Sequence, residues 1–429
     1  MSTEEPKEIF YAGCLPVFKG VRYHPQFRHL NSPPSGYKFV MNLEENYDKS
    51  IFLKMIQLFV LLGSGEKWYL KPFQKNLNLG IFRTIIVFAK FLKTRHIYSQ
   101  LKIPHNTKLA FVPSFPFILG QCPWMIEIED TTTLFVPFIA NGKTSDIKIH
   151  KYPVFYTVKA LIESEMCRGI ICHIKSTAES IPILFQNNQL SNKVFHIPLG
   201  VDLPSTSNRT NKKDNDKITI LFTNSWGQHS YSFYLRGGID ILEAFSILFS
   251  KYPQLQLVIR SQLPEDLDNR YQKIVEGDRV HVIDKFLPKE ELEMLFDEAD
   301  IYALPAARIH VVSILGAMAH GIPVVVSDGW GIEEYVEHGW NGLVVSGRYG
   351  KCSWIDEQGI FREDYSSLWK SDPEVVTRLV AAFSELIENP EKRKTLGKNA
   401  RKDVENKFSI ENCNSGLKKA FDRAFSGES

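Results

Sequence analysis

The stretch Asp300–Val345, DIYALPAARIHVVSILGAMAHGIPVVVSDGWGIEEYVEHGWNGLVV, decides the fold of this chain. An apolar run, a polar loop, a segment of small residues closed by a glycine and a β-branched run follow one another. We predict a strand, a loop, a helix, a strand and a turn at Ile301–Leu304, Pro305–His310, Val311–His320, Pro323–Val326 and Ser327–Gly331. A further short helix, a turn and a strand complete the stretch. Such strand–helix–strand units build parallel sheets, and ligands bind at the carboxyl ends of their strands.

The junction between this loop and its helix has the chemistry of a phosphate site. A helix start presents N–H groups without intrahelical partners at the positive end of the helix dipole. The junction consists of Arg308, Ile309, His310, Val311, Val312 and Ser313. Arg308 would add a fixed, bidentate charge, and the alternative is that it pairs with a surface acid.

The pattern resembles the donor-binding segment of the family-4 glycosyltransferases, which are retaining sugar transferases of the GT-B fold. The resemblance is carried by Pro305, Ala317-Met318-Ala319, Gly321, Pro323-Val324-Val325, Gly331, Glu334 and Asn341-Gly342. The family usually has two glutamates, separated by seven residues, across this loop and helix. Here those positions hold Arg308 and Gly316. The resemblance therefore locates a donor site whose sugar and ribose contacts depart from the family pattern.

The resemblance implies an α/β protein of the GT-B class, with two Rossmann-like domains facing a cleft. The polar stretch Pro204–Lys217 has almost no apolar residue and reads as a linker. The phrase KVFHIPLGVD at Lys193–Asp202 ends the N-terminal domain in the family. We predict an acceptor domain at 1–203, a linker at 204–217, a donor domain at 218–405, and a helix at 406–429 that packs back on the N-terminal domain.

Periodicity and capping residues predict the remaining elements. In the N-terminal half, strands are expected at Ile9–Cys14, Leu109–Val112, Trp124–Glu129, Phe155–Ile162, Gly169–His173 and Val194–Ile197. Helices are expected there at Ser50–Leu62, Gly80–Ser99 and Ser176–Phe185, the last capped by Ser176 or Thr177, with a loop at Leu15–Tyr37. In the second half, strands are expected at Ile218–Thr223, Leu255–Ile259 and Val280–Ile283. Helices are expected there at Gly238–Tyr252, Asp266–Glu276, Lys289–Ala299, Asp372–Glu388 and Ser409–Phe425, with an insertion at Gly347–Lys370.

Four further groups are donor-side candidates. Arg236 precedes Gly237-Gly238, whose glycines allow close backbone approach, and it stands where the family has a phosphate-binding lysine. Arg260 ends a strand and is either a second phosphate ligand or part of a structural salt bridge. The resemblance assigns Phe286 and Leu287 to the nucleobase loop. Glu334 follows the Gly331 turn, where capping is the alternative to substrate contact.

Acceptor-side candidates lie in loops of the N-terminal half. They are Gly13, Arg22, His24 and His29 in the first loop, Glu127, Glu129 and Asp130 at a strand end, and His173 and Lys175 after another strand. A lone histidine is more often a structural residue than a catalyst, so each has only a modest claim to direct involvement.

Charge and composition limit the classes of protein. The net charge of +2 argues against a dedicated nucleic-acid binder. Residues 1–205 carry 23 Lys and Arg against 15 Asp and Glu, whereas the remainder carries 28 against 34. The basic half, including the segment Ile81–Lys102, would suit an anionic membrane surface or acceptor, although scattered solvated lysines explain it equally well. Asp214-Asn215-Asp216 resembles a metal-binding DxD but lies in the polar linker, so no metal is expected.

The six cysteines are widely spaced and lack zinc-ligand spacing, and the N-terminus MSTEEPKEIF has no apolar run. No apolar stretch reaches the roughly 20 residues of a membrane span. We therefore expect a cytoplasmic protein, with peripheral contact at the inner membrane face as an option.

The resemblance implies a retaining transferase that moves a hexose-type sugar from a UDP- or GDP-linked donor to a glycan, lipid-linked or small-molecule acceptor, with no other cofactor. In the front-face mechanism favoured for the family, a donor phosphate oxygen takes the acceptor proton, so Arg236, Arg308 and Glu334 are the catalytic candidates. A nucleotide-sugar epimerase and a catalytically silent nucleotide-binding homologue are the alternatives.

Overall fold

The computed structural model describes residues 5–13, 28–41, 103–113, 122–135, 144–204, 217–224 and 230–427, with single residues at 100, 116 and 118. They form two compact units. Unit 1 contains Met1–Pro198, Ile355–Glu363 and Asn414–Ser429, and unit 2 contains Leu199–Trp354 and Asp364–Cys413. Most of the predicted linker, at 205–216, lies outside the described residues.

Unit 1 is built on a parallel six-stranded sheet with the order β2-β1-β3-β4-β5-β6. The strands are β1 (Lys7–Tyr11), β2 (Tyr37–Val40), β3 (Ala110–Val112), β4 (Trp124–Ile128), β5 (Cys167–Cys172) and β6 (Val194–His196). Every residue of β3 and β4 is buried. Continuous burial is typical of parallel strands covered on both faces, so these two strands form the centre of the core of unit 1.

The helices of unit 1 correct two predictions. They are α1 (Arg28–Asn31), α2 (Pro153–Glu163) and α3 (Lys175–Phe185). The predicted strand Phe155–Ile162 is wrong, because it lies in α2. Pro153 suits a first helical turn, and Phe155, Val158 and Ile162 are buried at helical spacing.

The predicted cap of α3 is also wrong. Ile174 is the N-cap residue, and the Thr177 hydroxyl instead donates to the Glu129 carbonyl oxygen at 2.7 Å. The predicted loop Leu15–Tyr37 contains α1 and the first residue of β2. The predicted helices Ser50–Leu62 and Gly80–Ser99 lie outside the described residues.

Unit 2 has a second parallel six-stranded sheet, with the order β12-β11-β10-β7-β8-β9. Its strands are β7 (Ile218–Thr223), β8 (Leu255–Arg260), β9 (Val280–Val282), β10 (Ile301–Leu304), β11 (Val324–Ser327) and β12 (Gly342–Val345). This is the Rossmann strand order, which reverses between the first and fourth strands. The reversal lies between β7 and β10, so this is where a doubly wound sheet places its ligand.

The described helices of unit 2 are α4 (Ser232–Leu235), α5 (Gly238–Leu248), α6 (Asn269–Val275), α7 (Lys289–Glu298), α8 (Val311–Ala319), α9 (Pro373–Glu388) and α10 (Pro390–Lys407). Five of them match predicted helices, whereas α4 and α10 were not predicted. Gly321 follows α8 with a φ of 68°, a left-handed conformation that glycine adopts without strain. The predicted short helix after Gly331 is a single 3-10 turn, Ile332–Glu334.

Two later segments of the chain complete unit 1. The insertion contains the strand pair β13 (Ser353–Ile355) and β14 (Phe361–Glu363), and α11 (Ile410–Ser426) is the last helix. Thr144 bonds to both ends of β14: its hydroxyl donates to the Phe361 carbonyl at 3.1 Å and accepts from the Glu363 N–H at 2.7 Å.

In α11, Asp422 accepts a 2.6 Å bond from the Tyr37 hydroxyl on β2. Unit 1 therefore depends on three separate parts of the sequence.

Candidate functional site

Two hydroxyl groups join the carboxyl end of β7 to the middle of β10. Tyr302 on β10 is fully buried, and its hydroxyl lies 2.9 Å from the Thr223 hydroxyl at the end of β7. Because β7 and β10 flank the reversal of strand order, this bond lies at the predicted ligand-binding edge of the sheet.

Three predicted donor-side residues surround the same phenol. Burial raises the pKa of Tyr302 to about 12, and hydrogen bonds with Thr223 and Ser313 and the charges of Arg236 and Arg260 act in the opposite direction. The phenol therefore stays neutral and keeps its proton. The structure thus brings Arg236, Arg260 and Ser313 together around a residue that was not among the predicted ones.

Arg260 is held at the end of β8 by backbone contact. Its side chain is buried, and its Nη1 donates to the Asn224 carbonyl oxygen at 2.5 Å. Burial lowers the pKa of Arg260, because a charge in the interior loses hydration. The Asn224 amide lies 3.3 Å from the Ser261 hydroxyl. A buried guanidinium beside polar groups would provide charge for an anion.

Arg236 ends α4 at a turn that only glycine can complete. The Arg236 side chain is buried, and Gly237 has a φ of 77°. A Cβ at position 237 would overlap the Pro305 carbonyl oxygen and lie 2.7 Å from Pro305 Cγ. The Ala307 N–H also donates to the Leu235 carbonyl at 3.1 Å. The close backbone approach expected at Gly237 is therefore made to the loop that precedes α8.

That loop is fixed by contacts with the end of β11 and with the turn that follows it. The Ser327 hydroxyl donates to the Ala306 carbonyl at 2.5 Å, and the Ile309 N–H donates to the Trp330 carbonyl at 3.0 Å. The Arg308 guanidinium lies 5.9 Å from the centre of the Trp330 ring, a cation–π distance. The loop therefore delivers the chain to the start of α8 in one conformation.

The start of α8 has the geometry expected of the phosphate junction. His310 is its N-cap residue, and the Ile314 N–H makes the first intrahelical bond, to the His310 carbonyl at 3.2 Å. The N–H groups of Val311, Val312 and Ser313 precede that bond, so α-helical geometry leaves them without intrahelical acceptors. Ile309 and Val311 are buried, whereas Val312 and Ser313 are half-buried.

The other donor-side candidates are placed as follows. Leu287 is buried and Phe286 is half-buried in the loop after β9. Glu334 is half-buried at the end of its 3-10 turn, and Gly331 precedes that turn with a φ of 82°. A Cβ at Gly316 would lie 3.3 Å from the Phe296 ring, so a larger residue there must displace that ring.

In unit 1 the structure assembles a buried cluster from three predicted residues. The His173 Nε2 lies 2.9 Å from Glu127 Oε1, and the His29 Nε2 lies 3.7 Å from Glu127 Oε2. The His173 Nδ1 lies 3.0 Å from the Ile197 carbonyl oxygen, so that ring nitrogen carries a proton. All three side chains are more than nine-tenths buried.

The charges of this cluster follow from its surroundings. Burial alone would raise the pKa of Glu127, but His29 and His173 outweigh burial and hold that pKa below 4.5. Burial would lower the pKa of His173, but Glu127 outweighs it and raises that pKa above 6.5. Burial lowers the pKa of His29 despite Glu127. The directions of these shifts favour an ionised Glu127 and a protonated His173, and they disfavour the charged form of His29.

The remaining acceptor-side candidates are more scattered. Asp130 accepts from the N–H groups of Thr132 at 2.8 Å and Thr133 at 3.2 Å, which is a turn-forming role. A Cβ at Gly13 would lie 2.7 Å from Pro113 Cγ. Arg22 and His24 lie outside the described residues. Of the predicted acceptor-side residues, the structure thus brings His29, Glu127 and His173 together.

Within the described ranges, no group of three or more His, Cys, Asp or Glu side chains is arranged to hold a metal ion. Among the helices that the structure describes, none is long and apolar enough to cross a membrane.

Comparison with known proteins shows similarity to glycosyltransferases over part of the chain. Residues 230–352 match the family described as Glycosyl transferases group 1. AmsK of Erwinia amylovora, an amylovoran biosynthesis glycosyltransferase, is 41% identical over 64 residues, which span 13% of this chain and 16% of AmsK. Spore coat protein SA of Bacillus subtilis is 22% identical over 301 residues, or 65% of this chain and 72% of that protein.

The fold has relatives of known structure. Anabaena HepE, solved in complex with UDP and glucose, has a TM-score of 0.53 and 14% identity, and the match covers 81% of this chain and 84% of HepE. The two parallel sheets give a GT-B fold, as predicted. The fold is therefore that of GT-B proteins, and residues 230–352 within it are similar to the group 1 glycosyltransferases.

Proposed function

We propose that this protein is a retaining glycosyltransferase that moves a hexose-type sugar from a UDP- or GDP-linked donor to a glycan, lipid-linked or small-molecule acceptor. The observation that carries the proposal is the pair of buried arginines, Arg236 and Arg260, of which Arg236 precedes the Gly237 turn that packs on the loop leading to α8. Both arginines and the helix start lie within the segment that matches the group 1 glycosyltransferases.

A nucleotide diphosphate suits this combination of groups. It carries charge on neighbouring oxygens, which are bound well by guanidinium groups and by helix N-terminal N–H groups. Arg236 and Arg260 would supply the cations, and residues 311–313 would supply N–H donors. Arg308, stacked toward Trp330, would contribute a third positive charge at the edge of the site.

The same groups would perform the catalytic work. In the proposed mechanism a donor phosphate oxygen takes the acceptor proton, and the protein stabilises the diphosphate as it departs. Charges fixed before the reaction need no reorganisation, and the loss of one such donor costs about 3 kcal/mol in other enzymes. The buried positions of Arg236 and Arg260 fit this role, because a low dielectric strengthens their effect.

HepE supports a uridine nucleotide as the first donor to test, since its structure holds UDP and glucose. The test is a thermal-shift screen of UDP- and GDP-linked sugars and their diphosphates. We expect the correct donor to raise the melting temperature, and sugar transfer to follow when an acceptor is added. A chain that no nucleotide stabilises would contradict the proposal.

A catalytically silent nucleotide-binding protein is the second candidate. The correspondence predicted from the sequence puts Gly316 where the family holds a glutamate, and the Phe296 ring occupies the space beside it. Arg308 stands at the other acidic position. Nucleotide binding without donor hydrolysis or transfer would favour this candidate, and measured turnover would exclude it.

A further inference from the structure

We propose that Ser353 is a positioning residue of the donor site, whose hydroxyl holds the loop before α8 against the turn that follows β11. It thereby fixes the position of the N–H groups at the start of α8 that would bind the diphosphate. The inference rests on the proposed function, because it concerns the same site. It also gives a role to the insertion Gly347–Lys370, which contains none of the predicted donor-side residues.

The Ser353 hydroxyl is hydrogen-bonded on both sides. It accepts from the Trp330 N–H at 3.0 Å and donates to the Ala307 carbonyl oxygen. Ser353 has no exposure to solvent, so water cannot replace either bond. One hydroxyl group therefore joins the turn after β11 to the loop that leads to α8.

The two joined segments approach each other backbone to backbone. A Cβ at Gly329 would lie 2.5 Å from the Ala306 carbonyl oxygen and 2.6 Å from that of Ala307. A Cβ does not come this close to a carbonyl oxygen, so the turn requires glycine there. The Ser327 hydroxyl donates to the Ala306 carbonyl, and the Ser353 hydroxyl donates to the next one. Two serines from separate parts of the chain thus hold consecutive carbonyls of one loop.

The same turn reaches the start of α8. The Trp330 carbonyl oxygen accepts from the Ile309 N–H at 3.0 Å, and the next residue, His310, is the N-cap of α8. Ser353 holds the N–H of that same Trp330. Loss of the Ser353 hydroxyl would therefore leave the Trp330 N–H and the Ala307 carbonyl without this partner. The helix start would loosen, although no charge is removed from the site.

The insertion supports Ser353 from behind. The Arg348 carbonyl oxygen accepts from the Cys352 N–H at 2.7 Å, which closes the turn before Ser353. The Arg348 side chain is 1% exposed and pairs with the buried Asp240 on α5. Cys352 is fully buried and belongs to the same apolar cluster as Ala307. Ser353 therefore meets the loop from a packed segment that is tied to α5.

The test compares Ser353→Ala with Ser409→Ala. Ser409 is also a buried serine of unit 2, but it lies beside Val201, and its hydroxyl accepts from the Asn412 N–H at 3.3 Å. For each full-length variant, calorimetry measures the dissociation constants of UDP and uridine, or of GDP and guanosine if the thermal screen selects a guanosine nucleotide. The nucleoside lacks the phosphates and reports on the rest of the pocket.

We expect Ser353→Ala to weaken diphosphate binding about tenfold, because the two lost hydrogen bonds hold the helix start, and to leave nucleoside binding within about twofold. Ser353→Cys keeps nearly the same shape with a weaker hydrogen-bonding group, so its loss should be smaller. Ser409→Ala should change neither constant. Equal losses for diphosphate and nucleoside would show a general structural role and overturn the proposal, as would unchanged diphosphate binding.

Ser353→Cys also serves if Ser353→Ala does not fold, and a uniform loss or no loss in that variant would then overturn the proposal. The wild-type chain separates this inference from the proposed function. If the wild type binds no nucleotide, the proposed function fails and the role of Ser353 fails with it. Equal diphosphate binding by the wild type and Ser353→Ala would refute only the role of Ser353.

Discussion

His173 Nε2 lies 2.9 Å from Glu127 Oε1, in a part of unit 1 where both side chains are buried. The Ile197 carbonyl oxygen holds the opposite ring nitrogen of His173. A protonated His173 therefore faces the carboxylate on one side and the carbonyl oxygen on the other, so the carboxylate has a cationic partner. Replacing either residue alone would therefore leave the other buried without its charged partner.

Glu127→Gln should destabilise the folded protein by about 3 kcal/mol near neutral pH, because removing one member of a buried ion pair strands the other. His173 would then titrate with a lower pKa, since the carboxylate that raises it is gone. Urea denaturation measures the first effect, and NMR titration of the imidazole measures the second.

Glu179→Gln is the matched control, because Glu179 forms an exposed i,i+4 pair with Lys175. A surface pair contributes at most about 1 kcal/mol. If Glu127→Gln and Glu179→Gln had the same free energy of unfolding, the buried ion pair would contribute no more to stability than a surface pair.

His29→Phe should shift the pH of maximum stability downward. Burial lowers the pKa of His29, so only the unfolded chain takes up its proton as the pH falls below 6.5, and stability declines. The raised pKa of His173 acts oppositely: its contribution is complete below 6.5 and is lost as pH rises through the folded value. Glu127, with a lowered pKa, contributes above 4.5 and loses this only in stronger acid.

Phenylalanine should fit this site, because the His29 ring packs edge-on against Phe39 and Phe111. The urea midpoints of wild type and His29→Phe are compared between about pH 5 and pH 8. One proton changes the free energy of unfolding by at most about 1.4 kcal/mol per pH unit. Identical pH profiles would refute the prediction.

Gly237→Ala should destabilise unit 2 and weaken nucleotide binding. Any side chain at position 237 meets Pro305, whose loop leads to α8, and the φ of 77° adds a cost of about 1 to 2 kcal/mol for a residue with a Cβ.

Gly339→Ala separates the steric contact with Pro305 from the cost of the backbone conformation. Gly339 has a φ of 79°, and a Cβ there meets no atom within 4 Å. We expect Gly339→Ala to show the backbone cost alone, without loss of nucleotide affinity. Equal effects of the two substitutions would mean that the approach to Pro305 is unimportant. Thermal unfolding measures the stability of each variant, and calorimetric titration measures its affinity for the nucleotide.

Arg236→Ala should reduce turnover by about 100-fold while changing stability much less, because the charge is needed where the diphosphate departs. Arg236→Lys should fall between wild type and alanine, since lysine keeps the charge but loses the planar fork. Arg378→Ala is a suitable control, because Arg378 is exposed and its contacts are a pair across a helix turn with Glu374 and a bond to the Ser346 carbonyl. Steady-state kinetics with the identified donor measure the turnover of each variant. Turnover at the wild-type rate by Arg236→Ala would show that Arg236 has no part in the mechanism.

The sequence predicted the parts of unit 2 whose structure is encoded locally. The strands Ile218–Thr223 and Ile301–Leu304 have the predicted bounds, because β-branched and apolar residues there are followed at once by polar residues or proline. The start of α8 was likewise predictable from the small-residue segment after the loop. In unit 1, Phe155–Ile162 misled because a short apolar run fits both a buried strand and a helix, and Pro153 was the decisive signal.

The site was harder to predict than the fold. Arg260 was chosen from its place at a strand end, but only the register of β7 and β8 pairs it with Thr223, whose hydroxyl bonds to Tyr302. Tyr302 was missed because an aromatic residue in an apolar strand is ordinarily core. The one available signal was its polar tip in a strand that is otherwise wholly apolar.

Unit 1 needs residues that the ribosome adds late, after the whole of its sheet has been synthesised. Among the described residues, the Thr131 and Thr144 hydroxyls bond to Phe361 and Glu363, and the Tyr37 hydroxyl bonds to Asp422. A ribosome that has delivered the first 200 residues has therefore not yet delivered the groups that complete this unit. N-terminal domains generally fold first as they emerge, but here the C-terminal helix must be released before the N-terminal unit can reach its final state. A fragment cut at the polar linker would carry the whole first sheet and still lack the segments that finish it.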